Sequence, residues 1–146
     1  MAKLRHIAMS VPHDDVRKTA DFYVDVFGMR RIRAGQYTEV LTDETVGLVI
    51  LSDKLVLNLG HRGLHHIGFI VDDLEAMQKR VVESGVAELI PDEVTATVNE
   101  QVHGTKPLMG KGHEDEMEHK ISDPNGLTVD MVTLGYAQGN WKLPGT

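Results

Sequence analysis

The stretch LRHIAMSV at residues 4–11 returns sixty positions later as LHHIGFIV at residues 64–71. The two copies are identical at their first, third, fourth and last places, and the third place is a histidine in both. Apolar residues dominate each copy, and each is followed by a polar break and a helical pattern, which is typical of a strand entering a helix. The repeat therefore predicts His6 and His66 at equivalent places on two equivalent strands, where they can share one site.

The pattern around each copy predicts a half-unit with one helix and four strands. In the first half, a helical period at residues 16–27 precedes strand patterns at 29–33, 37–41 and 47–51. In the second half, a helical period at residues 74–84 precedes strand patterns at 86–90, 117–121 and 127–133. Such half-units bury their apolar faces against each other. We expect an α+β fold in a single domain, 1–146, of two βαβββ modules at about 1–60 and 61–135 with a tail at 136–146.

The second half contains an insertion at residues 91–115 that the first half lacks. Its periodicity fails, and the segment is rich in turn-forming residues, namely Gly104, Pro107, Gly110 and Gly112. It is too long for a hairpin loop, so the sequence predicts a lid.

Composition excludes several classes of function. The 146 residues are 41% hydrophobic and 25% charged, as in globular proteins, and no apolar run is long enough to span a bilayer. The first residues enter a strand pattern without an apolar signal region, so we expect a cytoplasmic location. A net charge of −7 without a basic cluster argues against nucleic acid. Because cysteine is absent, a metal would be bound by His, Asp or Glu.

Four segments together resemble the vicinal oxygen chelate superfamily, which includes glyoxalase I, extradiol dioxygenases, methylmalonyl-CoA epimerase and bleomycin-resistance proteins. They are LRHIAMSV with His6, DFYVDVFGMR at 21–30, HHIGFIVDDL at 65–74 with His66, and DPNGLTVDM at 123–131. The resemblance spans nearly the whole chain. It implies a glyoxalase/bleomycin resistance/dioxygenase-like fold in which the paired modules form a cupped mixed sheet around a divalent metal. It also implies a small-molecule substrate and a homodimer.

Carried over by position, the metal ligands of the family fall on His6, His66 and Asp130. Imidazole and carboxylate suit a borderline divalent ion, and three ligands on one side leave positions open for the oxygens of a substrate. A metal would also neutralise the charge of Asp130 on an apolar strand. The alternatives are that the histidines are polar core residues and that Asp130 faces water.

The sequence offers no fourth ligand of the kind that glyoxalase-type members take from the closing strand of the first module. That strand has only Leu48, Val49 and Ile50 between its ends, and Asn58 lies beyond it in the joint. We therefore favour a non-haem Fe(II) dioxygenase of the extradiol type, which needs room for a bidentate catecholate and dioxygen. One alternative is a lyase, isomerase or epimerase with Zn, Ni, Mn or Co. Another is a metal-free protein that binds a small molecule.

Strand alternation assigns the remaining polar residues to faces. Glu118 and Lys120 share one face, and if that face looks into the cup, Glu118 is the candidate catalytic base. Alternation places His65 on the face opposite His66, which excludes it from the site. In the tail, Tyr136 and Trp141 are candidates for closing the pocket or for packing on a partner subunit.

Overall fold

The structure, a computed structural model, describes residues 2–143 apart from the side chain of Leu57. It contains one mixed sheet of eight strands in the order β2-β3-β4-β1-β5-β8-β7-β6. The strands are β1 (Lys3–Val11), β2 (Arg30–Arg33), β3 (Thr38–Thr42), β4 (Gly47–Ser52), β5 (Gly63–Ile70), β6 (Glu88–Leu89), β7 (His119–Ser122) and β8 (Thr128–Val132). The helices are α1 (Val16–Phe27), α2 (Leu74–Ser84), α3 (Asp92–His103) and the short α4 (Leu134–Tyr136), which continues into a π-helical turn at Ala137–Trp141.

The sheet order reflects the repeat in the sequence. The two repeated strands, β1 and β5, pair antiparallel at the centre of the sheet. On either side, each pairs in parallel with the last strand of its own half, β1 with β4 and β5 with β8. The α+β fold predicted from the duplicated pattern is confirmed. Its consequence for function is that the two repeated histidines lie on neighbouring strands.

The two long helices of the repeat form where the sequence predicts them, at 16–27 and 74–84. In α1, Val16 and Ala20 are buried against the outer face of β3 and β4. In α2, the carboxylate of Asp73 accepts a hydrogen bond from the backbone N–H of Ala76, which caps the helix. Gly28 ends α1 with a φ of 70°, a left-handed conformation that glycine adopts without strain. Helix α1 thus covers the outer face of β3 and β4, and the opposite face carries the cavity described below.

Two β-bulges interrupt the central pair of strands just before each repeated histidine. Leu4 pairs with Phe69 and His6 pairs with Gly68, so the residue between them on β1 is extra. Likewise Ala8 pairs with His66 while Met9 pairs with Leu64, so His65 is extra on β5. A bulge changes the face of the sheet towards which the neighbouring side chains point. Strict alternation therefore fails at these two places.

The insertion is not aperiodic throughout, and the prediction that periodicity fails across 91–115 is wrong for its first half. Residues Asp92–His103 form α3, which ends at Gly104 with a φ of 85°. Val94, Val98 and Val102 recur every four residues, as one face of a helix requires. Their β-branched side chains have low intrinsic helix propensity, and this hid the pattern. Thr95 and Ala96 of this helix are buried, and such tertiary packing can outweigh a low intrinsic propensity.

None of the helices in the described part of the chain is long and apolar enough to cross a membrane.

Candidate metal centre

The free face of the sheet carries a cavity of about 750 Å³. Apolar side chains from β3, β4 and α3 line one part of its wall, including Val40, Val49, Leu51, Val94 and Val98. Polar side chains gather where β1, β5, β8 and β7 meet. The cavity thus combines an apolar wall with one polar cluster, as small-molecule sites commonly do.

The structure brings together the three predicted ligand residues in that polar cluster. His6 lies on β1, His66 on β5 and Asp130 on β8, and the sheet places these strands side by side. All three are buried, with 6%, 9% and 2% of their surface exposed. One potential ligand atom from each lies within 4.8 Å of the others, and no other such group of three His, Asp or Glu occurs in residues 2–143. Whether they bind a metal stays a prediction.

The distances within this cluster fit coordination of one ion. The Nε2 atoms of His6 and His66 are 3.2 Å apart, and Oδ2 of Asp130 is 3.4 Å from Nε2 of His66. Ligand atoms that bind one ion at about 2.0–2.2 Å stand roughly 3 Å apart when their bonds meet near a right angle. These two separations are close to those of a coordinated ion, and all three ligand atoms lie within 4.8 Å of one another, so the widest pair would have to move closer for one ion to contact all three.

Burial keeps both imidazoles neutral at physiological pH. Desolvation lowers the pKa of His6 to about 4, although the charge of Asp130 opposes the shift. Desolvation lowers the pKa of His66 to about 2, and the charge of Lys120 adds to this shift. A neutral imidazole has a free lone pair, which is the form that ligates a metal.

The two rings are held by different neighbours. Nδ1 of His66 lies 2.7 Å from Nδ1 of His65, within hydrogen-bond distance. Nδ1 of His6 is buried and has no hydrogen-bond partner among the described residues. Instead, the ring of His6 stacks on Trp141 with centroids 4.6 Å apart and planes 13° apart. A Cβ on Gly68 would lie 3.0 Å from both His6 and Trp141, so a glycine there permits this stacking.

Lys120 is the cation nearest to the cluster. Its Nζ lies 2.5 Å from Oδ1 of Asp130, while Oδ2 of Asp130 faces His66. Burial lowers the pKa of Lys120, but the charges of Asp130 and Glu118 outweigh this effect and raise it. Lys120 is therefore an ammonium ion, and it balances the charge of Asp130.

Glu118 lies in the cavity, on the face that it shares with Lys120. Its carboxylate accepts hydrogen bonds from the hydroxyl of Tyr136 and, at 3.4 Å, from the amide of Asn99. Burial and the charge of Glu118 raise the pKa of Tyr136, so its hydroxyl stays protonated and donates. His119 between them instead contacts Asp92. The prediction that Glu118 and Lys120 share one face agrees with this arrangement, and that face lines the cavity rather than facing solvent. A catalytic role for Glu118 stays a prediction.

No side chain of β4 supplies a fourth ligand. Val49 and Leu51 are the β4 residues that line the cavity. Asn58 is buried away from the cluster, where its amide donates to Oγ of Ser10 and the carbonyl of Ser52. The protein thus offers an ion two imidazoles and one carboxylate.

Sequence reasoning misplaced one residue of the site and missed two others. The exclusion of His65 is wrong, because the bulge turns it towards the cavity, where it contacts His66. Asn99 of α3 was hidden by the unrecognised helix. Arg33 of β2 lines the cavity, and no pattern in the sequence distinguishes it from its two neighbouring arginines. Tyr136 and Trp141 do close the cavity, as one of the two alternatives for the tail predicted.

Known proteins share the fold at low sequence identity. A search of curated proteins returns no match. Among solved structures, methylmalonyl-CoA epimerase from Mycobacterium tuberculosis is 16% identical with a TM-score of 0.57, over 89% of this chain and 86% of that one. The Mn(II)-bound glyoxalase from Novosphingobium aromaticivorans is 14% identical with a TM-score of 0.58, over 90% of this chain and 38% of that one. A mutant of 4-hydroxymandelate synthase from Streptomyces coelicolor is 16% identical with a TM-score of 0.60, over 90% of this chain and 48% of that one.

At these identities the solved structures establish the fold alone. The family assignment comes from a sequence model, which matches residues 3–131 and so covers both repeated strands and the DPNG turn. The chain belongs to the Glyoxalase/Bleomycin resistance protein/Dioxygenase superfamily.

Proposed function

We propose that this protein is a metal-dependent enzyme that acts on a small organic substrate with two neighbouring oxygens. His6, His66 and Asp130 would hold one divalent ion at the polar end of the cavity. The observation that carries the proposal is the convergence of these three buried side chains from three adjacent strands. When bound, such an ion supplies Lewis-acid chemistry to oxygen atoms of the substrate.

Within this class we favour a non-haem Fe(II) dioxygenase of the extradiol type. Two imidazoles and one carboxylate on one side of an ion are the ligand set typical of Fe(II) oxygenases. The apolar Val49 and Leu51 of β4 support this preference, since they leave the opposite side of the ion open. The apolar wall also suits an aromatic ring and excludes water from it.

A second candidate is a lyase, isomerase or epimerase that uses Zn, Ni, Mn or Co. The observation that favours it is the carboxylate of Glu118 inside the cavity. A proton-transfer reaction needs such a base close to the substrate. Tyr136 and Asn99 donate hydrogen bonds to this carboxylate and fix its position.

A third candidate is a metal-free protein that binds a small molecule. Lys120 favours it, because the ammonium ion already neutralises Asp130 without a metal. The histidines would then be polar wall residues, and the two Nε2 atoms would share a hydrogen bond.

Metal analysis of protein purified without chelators separates the three candidates. Stoichiometric iron, together with oxygen consumption when catechols are added, would support the dioxygenase. Stoichiometric Zn, Ni, Mn or Co without oxygen consumption would support the lyase, isomerase or epimerase. Absence of any metal, both as purified and after dialysis against each ion, would contradict the metal-dependent proposal and leave the binding protein.

We predict that His6→Ala and His66→Ala each abolish tight metal binding, because each removes one of three ligands. Trp141 is the only tryptophan of the chain and stacks on His6, so its fluorescence can follow a titration with Co(II). Metal content of the purified variants gives a second measurement. His113→Ala is the matched control, since His113 lies outside the cavity, immediately before the 3-10 turn at Glu114–Glu116. Wild-type metal content in either active-site variant would remove that residue from the proposed site.

The homodimer that the resemblance implies and the cytoplasmic location expected from the sequence stay predictions.

A further inference from the structure

The inference concerns Arg33, an exposed arginine at the mouth of the cavity. Strand β2 carries three arginines, and two of them are paired. Arg30 binds Glu44 at 2.7 Å, and Arg31 binds Asp21 at 2.5 Å. Arg33 makes no side-chain hydrogen bond or ion pair within residues 2–143. Its five N–H donors are therefore available to a ligand.

A β-bulge explains why Arg33 faces the cavity while Arg31 does not. Arg31 pairs with Leu41, which packs on the outer face against α1. Regular alternation would then turn Arg33 to the same outer face. The register shifts between them, so that Arg33 pairs with Val40, and Val40 lines the cavity. Bulges are common beside active sites, where they redirect a side chain.

Among the described residues that line the cavity, Arg33 is the long cationic side chain that has no side-chain partner. The other long cationic side chain that lines this cavity is Lys120, which is committed to Asp130. Arg33 and Tyr136 line the same cavity, and the charge of Arg33 acts against burial and the charge of Glu118, which together raise the pKa of Tyr136. An anionic ligand would enter a protein of net charge −7 that carries two carboxylates in its cavity. Such a ligand needs a cation to bind.

We propose that Arg33 binds a carboxylate of the substrate and that the substrate is a small oxygenated organic acid. The planar guanidinium matches a carboxylate with two parallel hydrogen bonds. In sheet order, β3 and β4 separate Arg33 on β2 from His6 on β1, which is about 14 Å between backbones in a flat sheet. The wall between them carries Val40 and Val49. The substrate would thus have its vicinal oxygens at one end, an apolar middle and a carboxylate at the other end.

This inference rests on the proposed function for the oxygen end of the substrate, whereas the contact with Arg33 needs no metal. The probes that test it are catechol and catechols that bear a carboxylate on an arm of zero to three carbons, each compared with its methyl ester. Their affinities are measured by calorimetry for metal-loaded and metal-free protein. We expect the acid to bind about tenfold or more tightly than its ester for at least one arm length.

Arg33→Gln should abolish this preference for the acid and leave the affinity for unsubstituted catechol unchanged. Arg30→Gln is the matched control on the same strand, and it should keep the preference, because Arg30 is already paired with Glu44. The midpoint of thermal unfolding checks that both variants fold. Arg33→Lys should restore part of the preference, since it keeps the charge but not the two parallel hydrogen bonds.

The proposal is overturned if no acid binds better than its ester, including the case in which neither binds, or if Arg33→Gln keeps the preference. Failure of the proposed function gives a different result. In that case the preference for the acid would depend on Arg33 equally with and without metal, and catechol would gain no affinity from the metal.

Discussion

The two histidines of the repeat are equivalent in sequence but not in surroundings. His6 lies under the indole of Trp141, whereas His66 contacts His65 and Asp130. Burial keeps both rings neutral, so each can ligate an ion through Nε2 in the tautomer that carries its proton on Nδ1. The carboxylate of Asp130 is shared, since one oxygen faces His66 and the other binds Lys120. At the residue scale, therefore, the affinity for a metal ion depends on how strongly the ammonium group of Lys120 competes with the metal for the carboxylate of Asp130.

We predict that Lys120→Gln binds Zn(II) at least tenfold more tightly than the wild type. A unit positive charge about 4 Å away repels each unit of charge on a cation by roughly 4 kcal/mol at an effective dielectric constant of about 20, which is more than a tenfold change in affinity. Glutamine removes that charge while it keeps an N–H donor for Asp130. The measurement is a titration in competition with a chelator. Lys106→Gln is the control, because Lys106 pairs with Glu93 and lies outside the main cavity. A weaker affinity in Lys120→Gln would mean that the ammonium ion chiefly orients Asp130 for the metal.

At the element scale, bulges and the inserted helix shape the cavity. The bulge on β5 turns His65 inwards, and the bulge on β2 does the same for Arg33. Helix α3 closes one side of the cavity with Val94, Val98 and Asn99. The side chain of His119 anchors the start of α3, since its Nδ1 lies 3.1 Å from Asp92. The segment from Gly104 to His113 that follows carries three left-handed glycines, and Lys106 ties its start to Glu93 of α3.

We predict that limited trypsin digestion cuts first after Lys111, in this loop between α3 and β7. Lys106 precedes a proline, which blocks cleavage there, whereas Lys111 precedes Gly112 in an exposed stretch. A ligand in the cavity should slow the cut, because α3 would then be held at both faces. Mass spectrometry of the first fragments identifies the site. Protection of the loop in ligand-free protein, or a first cut elsewhere, would contradict a mobile lid in this segment.

At the scale of the whole molecule, the duplicated modules bury a polar cluster at the centre of the sheet, and this makes stability depend on pH. His6 and His66 have pKa values of about 4 and about 2 in the folded protein, below the ordinary value of 6.5. Below pH 6.5 the unfolded chain therefore binds more protons than the folded one. The stability that the neutral histidines confer is complete above pH 6.5 and is lost as the pH falls towards their folded pKa values.

We predict that the free energy of unfolding of the metal-free protein decreases between pH 7.5 and pH 5 by about 2 kcal/mol for each of these two histidines. Urea denaturation across this range measures the loss. His66→Gln should remove about half of the dependence, whereas His113→Gln should keep it, because His113 is exposed. A pH-independent free energy of unfolding above pH 5 would contradict the buried, neutral state of the pair.

Local patterns in the sequence were enough for the two helices of the repeat and for the two histidines of the proposed ligand set. Hydrophobic periodicity gave the bounds of α1 and α2, and the repeat predicted His6 and His66 at equivalent places on two equivalent strands, which the structure pairs at the centre of the sheet. Such patterns depend on near neighbours in the chain, which a single sequence contains. The resemblance added Asp130, and the structure brings it to the same cluster.

Only the tertiary structure decided which other side chains meet that cluster. The ion pair of Lys120 with Asp130, the stacking of Trp141 on His6 and the inward turn of Arg33 and His65 all depend on strand register and on contacts between distant parts of the chain. A single extra residue in a strand reverses the face that alternation predicts. No local pattern marks that residue, because the register is set by the packing of the whole sheet.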